Sequence, residues 1–128
     1  MRKESMKATR TSYNCPVEAA IDVMGGKWKP LILWWLHRNG AQRFGELRRL
    51  MPGVTEKMLT QHLREMERDG IVARRVYAVV PPKVEYSLTE YGRTLKRALT
   101  AICEWGRLHM ERIHAVQKVP VPLLRKRA

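Results

Sequence analysis

The sequence predicts a mainly α-helical domain with a small β-hairpin wing, the winged helix-turn-helix class. Three observations support this class: two short helical patterns meet at Pro52-Gly53, a hairpin pattern follows directly, and a long helical pattern comes after it. A chain of 128 residues can bury one hydrophobic core. We therefore expect one domain over residues 13–114, preceded by a flexible basic arm (1–12) and followed by a flexible basic tail (115–128).

The composition indicates a polyanionic partner. Lysine and arginine number 25 against 12 acidic residues, so the formal net charge is +13, in a chain with an ordinary hydrophobic fraction of 45%. No apolar run approaches the roughly 18 residues of a membrane span, and no apolar signal region follows the basic first residues. We expect a cytoplasmic protein without a membrane partner, whose two cysteines are reduced thiols.

The N-terminal part of the domain predicts two helices. The first covers 16–24, where Pro16 suits a first helical position, and the second covers about 27–38. A core stripe on the second helix comprises Trp28, Leu31, Ile32, Trp35 and Leu36. Leu33 and Trp34 fall outside this stripe, so they either meet another element or a second subunit, or complete a thick core.

Residues 43–70 have the pattern of a helix-turn-helix. A short amphipathic helix ends at Pro52-Gly53, and Thr55 is placed to cap the N-terminus of a second helix. The second helix turns its polar residues away from its apolar stripe, namely Lys57, Thr60, Gln61, Arg64 and Arg68. A charged helix face is usually only solvated surface, but these residue types suit phosphates and base edges. The preceding helix, the turn and the net charge favour a nucleic-acid interface here.

The next segment, 71–88, predicts a hairpin whose two β-branched runs flank Pro81-Pro82. The first run alternates only loosely, whereas Val84, Tyr86 and Leu88 alternate cleanly with polar residues. The basic residues of the hairpin are Arg74, Arg75 and Lys83. A basic hairpin directly after a recognition helix is the wing of a winged helix. The alternative is a surface hairpin whose charges only keep it soluble.

A long helix is predicted to follow the hairpin. Ser87 and Glu90 have capping-box spacing, with Thr89 as a second candidate cap. A seam of apolar and small residues then alternates steps of four and three, namely Leu88, Gly92, Leu95, Leu99, Ile102, Gly106, His109 and Ile113. A helix of roughly 25 residues exceeds what one small core can cover, so we expect much of it to form a dimer interface. The alternative is a long helix folded back on the core.

Four segments together resemble the HxlR-type winged helix-turn-helix transcriptional regulators, relatives in architecture of the MarR group. They are CPVEAAIDVMGGKW (15–28), RFGELRRLMPGVTEKMLTQHLREMERDGIV (43–72), VPPKVEYSLTEYG (80–92) and WGRLH (105–109). The resemblance implies a homodimer, joined through its N- and C-terminal helices, that binds a palindromic double-stranded DNA operator. It also implies one recognition helix per half-site, with the wings along the flanking backbone.

The resemblance further implies which residues contact DNA. The residues that match are Arg43, Thr55, Lys57, Thr60, Gln61, Arg64, Arg74, Arg75 and Lys83. Within this set, Gln61 suits adenine and Arg64 suits guanine. Two features depart from the family pattern, since Lys29 replaces a more frequent hydroxyl residue and Trp34-Trp35 are bulkier than usual. The tryptophans either line an aromatic ligand site between subunits or fill the core.

Cys15 precedes Pro16 at a helix N-terminus, with Glu18 at capping-box spacing. The helix N-terminus and nearby cations stabilise a thiolate, whereas Glu18 disfavours one. Since the resemblance implies a sensor position, Cys15 is either a redox or electrophile sensor, acting by oxidation or by a disulfide across the dimer, or a passive, partly buried cap. Cys103, beside the seam, is expected to be a small buried hydrophobic residue.

Enzymatic function is not expected. The sequence has no glycine-rich phosphate loop, Gly-x-Ser-x-Gly elbow or His-Glu-x-x-His helix, and its four histidines lack zinc-ligand spacing, so we expect neither a cofactor nor a metal. The expected function is sequence-specific transcription regulation, with Cys15 as either a redox or electrophile sensor or a passive cap. One alternative is the same fold answering to a small aromatic effector, and another is a sequence-tolerant architectural DNA-binding protein. The mixed polar character of the recognition helix argues against the architectural protein.

Overall fold

The computed structural model describes residues 10–118 and confirms a mainly α-helical winged helix-turn-helix. Its elements are α1 (Pro16–Met24), α2 (Trp28–Asn39), α3 (Phe44–Leu50), α4 (Glu56–Arg68), β1 (Val72–Tyr77), β2 (Lys83–Leu88), a 3-10 helix (Gly92–Leu95) and α5 (Lys96–Arg112). Within residues 10–118, no helix has the length and apolar character needed to cross a membrane. Most of the predicted arm (1–12) and tail (115–128) lies outside the described residues.

The first two helices lie where the sequence predicts them. α1 has Pro16 at its first position and ends at Met24, before Gly25. α2 begins one residue later than expected and ends at Asn39. Gly40 follows with a φ of 79°, a left-handed conformation that glycine adopts without steric cost. Both boundaries follow from local chemistry, which is why a sequence pattern suffices to locate them.

One hydrophobic core joins α2, the helix-turn-helix and the base of the hairpin. Its largest fully buried side chains are Ile32, Leu33, Leu47, Met51, Leu59, Leu63, Met66 and Val72. Leu33 therefore completes the core of its own chain, and the alternative that it awaits a second subunit is wrong. Trp34 and Trp35 are half-buried against the same core, which favours a core-filling role for this pair.

The hairpin pairs β1 with β2 in antiparallel register, with Val72 opposite Leu88 and Tyr77 opposite Lys83. Its first strand departs from simple alternation, because the neighbours Ile71 and Val72 are both buried at the base of the hairpin. Farther out, the middle of β1 is exposed. The base of the hairpin therefore packs against the core, and its tip projects into solvent.

A backbone bridge fixes the hairpin to the helix-turn-helix. The N–H of Gln42 donates to the carbonyl of Tyr86, and the N–H of Tyr86 donates to the carbonyl of Gln42, both at 2.8 Å. The buried Gln42 side chain also accepts a hydrogen bond from the Asn39 amide at 3.3 Å. Gln42 thus connects the end of α2, the loop before α3 and strand β2, so the hairpin is anchored beside the helix-turn-helix.

The predicted capping box of Ser87 and Glu90 is wrong, because Ser87 lies inside β2. Thr89 caps the turn instead, and its hydroxyl accepts the Gly92 N–H at 2.9 Å. The next segment is a 3-10 helix, and α5 begins only at Lys96. The single helix of roughly 25 residues expected from the seam pattern is therefore a 3-10 turn followed by a helix of 17 residues.

The predicted helical seam divides in the middle of α5. Leu88 and Leu99 are buried, so the first part of the seam packs into the core of this chain. Beyond them, Ile102 and Ile113 of the seam are each 54% exposed, and Trp105 and Leu108, which lie beside the seam, are exposed as well. The folded-back alternative is confirmed for the first half of the seam, whereas the second half remains uncovered apolar surface.

Candidate nucleic-acid interface

Two local hydrogen bonds set the helix-turn-helix. The Thr55 hydroxyl accepts the Met58 N–H at 3.0 Å, which confirms Thr55 as the N-cap of α4. At the start of α3, the Glu46 carboxylate accepts the Arg43 N–H at 2.8 Å. α4 then buries its apolar face in the core. Because that face is fixed, the opposite face of α4 is held toward solvent.

The outer face of α4 brings together most of the predicted contact residues of that helix. Lys57, Gln61 and Arg64 are exposed at spacings of four and three residues, so they share one side of α4. Thr60 is half-buried beside them, and Thr55 is exposed but uses its hydroxyl oxygen as the cap. The exposed side chains span about 10 Å along the helix axis. This dimension suits a helix lying in a DNA major groove.

Two residues that sequence reasoning did not assign to the site support Gln61. The Gln61 amide donates to Glu65 Oε2 at 3.3 Å, and Lys29 Nζ of α2 lies 2.7 Å from Glu65 Oε1. Burial raises the pKa of Glu65, but the hydrogen bonds from Lys29 and Gln61 and the Lys29 charge outweigh it and hold that pKa below its ordinary value. No local sequence pattern connects positions 29 and 65. The only sequence signal was that Lys29 replaces the hydroxyl residue more frequent in the family.

The hairpin places the three predicted wing cations on two faces. The Tyr77 ring contacts Arg75 and Lys83, whose charged groups lie 4.8 and 4.5 Å from the ring centroid. Lys83 Nζ is also 3.8 Å from Glu85, whose carboxylate accepts the Tyr77 hydroxyl at 3.0 Å. Arg74 belongs to the opposite face by strand alternation. Arg75 and Lys83 therefore form one cationic surface that Arg74 does not join.

The first helix of the motif also carries exposed cations. Arg43 is exposed at the N-cap position of α3. Arg48 and Arg49, which the sequence analysis did not single out, are exposed near the other end of α3. Cations on both helices of the motif raise the positive potential around α4 and attract a polyanion over a distance.

Cys15 is exposed in an extended conformation before α1, and among residues 10–118 its thiol has no capping hydrogen-bond partner. The Glu18 carboxylate accepts the N–H of Asn14, at 2.8 Å, and pairs with Arg10 at 3.2 Å. The Asn14 hydrogen bond and the Arg10 charge lower the pKa of Glu18 from its ordinary value. The alternative of a partly buried, capping thiol is therefore wrong, and Cys15 is accessible to solutes.

The second cysteine differs from its expected environment. Cys103 lies on α5 and is half-buried rather than fully buried. The Arg107 guanidinium, one turn farther along α5, donates to the Cys103 sulfur at 3.8 Å. Cys103 is thus a partly accessible residue with a polar neighbour, and not a core side chain.

The HxlR-like helix-turn-helix family model matches residues 23–114 of this chain. The chain belongs to the HxlR family. A relative of this HxlR protein is the HTH-type transcriptional regulator YtcD of Bacillus subtilis (strain 168), which is 53% identical over 105 residues, 82% of each chain.

Two solved structures similar to this HxlR protein are those of the redox regulator HypR. The oxidised form has 57% sequence identity and a TM-score of 0.68, covering 73% of this chain and 95% of HypR. The reduced form has 52% identity and a TM-score of 0.71, covering 78% of this chain and 98% of HypR. Together with the fold, these relatives identify the HxlR protein as a helix-turn-helix transcriptional regulator and not an enzyme.

Proposed function

We propose that this HxlR protein is a cytoplasmic, sequence-specific regulator that binds a palindromic double-stranded DNA operator as a homodimer. The observation that carries the proposal is the outer face of α4, where Lys57, Gln61 and Arg64 stand exposed opposite a buried apolar face. A helix of this kind, following a short helix and a turn, docks in the major groove. The proposed interface also includes Arg43, Thr55, Thr60, Arg74, Arg75 and Lys83.

The helix and the wing have different roles in this proposal. Gln61 pairs with adenine and Arg64 with guanine, and each good bidentate contact discriminates between bases by about 1–3 kcal/mol. Arg75 and Lys83 neutralise phosphates and release counterions, which gives affinity without sequence preference. Arg74 contributes least among the wing cations, because it lies on the opposite face of the hairpin.

Uncovered apolar side chains support the proposed homodimer. They lie on both terminal helices of the domain, namely Val17 and Ile21 on α1 and Ile102, Trp105 and Leu108 on α5. Clustered apolar surface of this kind is typical of a protein interface. A two-fold dimer of the proposed domain (13–114) presents two α4 helices to half-sites about one DNA turn apart, roughly 34 Å.

Cys15 gives the proposed regulator a redox input. Its thiol is exposed next to α1, and the similar HypR is a redox regulator whose structures include an oxidised and a reduced form. Two Cys15 thiols, one from each protomer, lose two protons and two electrons as one S–S bond forms. A thiol oxidant such as diamide accepts them across its N=N bond and becomes a hydrazine. The new bond changes the separation of the two α4 helices and thereby the fit to the operator.

Fluorescence anisotropy on the duplex upstream of the protein's own gene, with excess random duplex as competitor, tests the DNA-binding function. Gln61→Ala should weaken binding of the upstream duplex about tenfold and leave random duplex nearly unchanged. Arg75→Ala should weaken both duplexes equally and reduce the salt slope of log K by about 1. Equal losses on both duplexes for Gln61→Ala would contradict the base-contact assignment. Binding abolished by random DNA at every promoter tested would favour the architectural alternative.

The same titration after diamide treatment tests the redox input. Oxidation should release the upstream duplex from the native protein and from Cys103→Ser, whereas Cys15→Ser should keep its affinity. Mass spectrometry of the oxidised protein should show a Cys15–Cys15 linkage between protomers, and a Cys15–Cys103 linkage would contradict that pairing. Specific binding that is indifferent to oxidation would reject the sensor and direct the search to a small-molecule effector.

A further inference from the structure

A chain of three side chains runs from the interior of the domain to the outer face of α4. Lys29 Nζ on α2 lies 2.7 Å from Glu65 Oε1, and Glu65 Oε2 accepts the Gln61 amide N–H at 3.3 Å. The Lys29 side chain is only 12% exposed, and that of Glu65 is 32% exposed. Lys29 is thus largely buried, and Glu65 connects it to the exposed Gln61 side chain.

The chemistry of a glutamine amide explains why this contact affects base recognition. To bind adenine, the amide oxygen accepts from N6 and the NH₂ group donates to N7. An ionised carboxylate has only acceptor atoms, so Glu65 binds the NH₂ group of Gln61 and never its oxygen. One hydrogen of the NH₂ group points to Glu65 and the other remains for the base. The orientation of the Gln61 amide is therefore set before DNA arrives.

Lys29 supports this arrangement in two ways. Its ammonium fixes the position of the Glu65 carboxylate and favours the ionised, acceptor-only form. Its charge also offsets that of Glu65, which would otherwise repel phosphates near α4. His62 does not replace it, because His62 Nδ1 is 3.7 Å from Glu65 Oε1, beyond hydrogen-bond distance.

We propose that Lys29 is a specificity-determining positioning residue, which orients Gln61 toward an adenine through Glu65 and makes no contact with DNA itself. The inference rests on the proposed function, in which Gln61 contacts bases. It assigns part of the sequence preference to a residue of α2, outside the helix-turn-helix. In this arrangement a change at Lys29 alters which duplex is preferred more than it alters affinity for duplex DNA in general.

The test compares the affinity ratio between the upstream duplex and random duplex in four variants. Lys29→Met should lower this ratio about tenfold, the value of one lost bidentate contact. It should also weaken binding of random duplex slightly, because no lysine charge then offsets the negative charge of Glu65 near the phosphates. Glu65→Ala should lower the ratio similarly but tighten random binding, because a negative charge is removed. Lys29→Arg should retain the ratio, since a guanidinium also binds the carboxylate. Lys27→Met is the matched control, an exposed lysine of the same helix start that contacts Trp28, and should retain it too.

Non-additivity separates positioning from a loss of helix packing. The double variant Lys29→Met/Gln61→Ala should lose no more specificity than Gln61→Ala alone, because Lys29 acts through Gln61. A further loss in the double variant, or an unchanged ratio for both Lys29→Met and Glu65→Ala, would overturn the inference while the proposed function stands. A native protein that prefers none of the promoters tested would overturn both. Thermal unfolding of each variant confirms that the compared proteins are folded.

Discussion

His37, near the end of α2, is a single residue whose surroundings disfavour its charged form. Burial lowers the pKa of His37 from its ordinary value, and the nearby charges of Lys96 and Arg38 lower it further. Its ring also packs against Trp34, with a centroid separation of 5.8 Å. Because the unfolded chain has no such surroundings, it binds a proton at His37 at higher pH than the folded chain does.

This difference predicts a loss of stability in mild acid. Below about pH 6.5, the ordinary value for histidine, the unfolded state carries more protons at His37 than the folded state. The free energy of unfolding therefore decreases as the pH falls toward the lower, folded pKa. His37→Gln should reduce the difference between urea midpoints at pH 8 and pH 5.5, and Lys96→Met should reduce it less, because burial remains. An unchanged difference in His37→Gln would contradict this assignment.

Single residues also show which parts of the site a sequence can predict. Thr55 was predictable as a cap because its partner is three residues away, and the exposure of Gln61 and Arg64 followed from helical periodicity. The contact of Lys29 with Glu65 was not predictable, because it depends on how α2 packs against α4. The choice of Thr89 and not Ser87 as the cap was unpredictable for a similar reason. The Thr89 hydroxyl also donates to the carbonyl of Gly70, which is distant in the sequence, at 2.6 Å.

At the scale of elements, the hairpin combines cations with a carboxylate that weakens them. Arg75, Tyr77, Lys83 and Glu85 share one face. Glu85 lies near Lys83 and accepts the hydroxyl of Tyr77. In the proposed complex this carboxylate faces the same phosphates as the two cations, so it reduces the affinity of the wing for any duplex.

Removing the Glu85 charge should therefore tighten DNA binding. Glu85→Gln keeps an acceptor for the Tyr77 hydroxyl but frees the full charge of Lys83. We expect tighter binding of the upstream and random duplexes by the same factor, with the salt slope of log K steeper by up to about 1. Salt-dependent anisotropy measures both quantities. Lys83→Met added to Glu85→Gln should cancel the gain, and tighter binding of the upstream duplex alone would show that Glu85 affects base contacts instead.

Elements differ in how far local patterns determine them. α1 and α2 were predicted within one residue, and Thr55 was predicted as the cap of α4, because proline, glycine and caps mark these ends. The start of α5 was predicted wrongly, because the buried Gly92 packs against the Ile71 carbonyl, a contact between distant parts of the chain. The opposite orientations of Arg74 and Arg75 follow from strand alternation, but which of the two shares a face with Lys83 is known only from the register of the strands.

Among the helices of residues 10–118, the exposed large apolar side chains lie on α1 and α5 and not on α4. α4 exposes polar and basic side chains instead, although α5 also carries exposed cations and the hairpin exposes Val76, Val79 and Val80. In a monomer the apolar side chains on α1 and α5 stay exposed to water, which is unfavourable. A dimer formed through these two helices buries them and leaves both α4 helices free to bind DNA. This separation of surfaces is what a protein needs to join two copies and bind two half-sites at once.

Substitution of Trp105 tests the proposed dimer. It is 64% exposed on α5, and so is Tyr91, which precedes the 3-10 helix. In Trp105→Ala, the mass measured by sedimentation equilibrium should fall from that of two 15.0 kDa chains toward that of one. Its affinity for the upstream duplex should fall at least about a hundredfold, because the second half-site loses its effective concentration. Random duplex should be affected far less. Tyr91→Ala, of equal exposure, should remain dimeric with native affinity, and a dimeric Trp105→Ala protein would exclude this face of α5 from the interface.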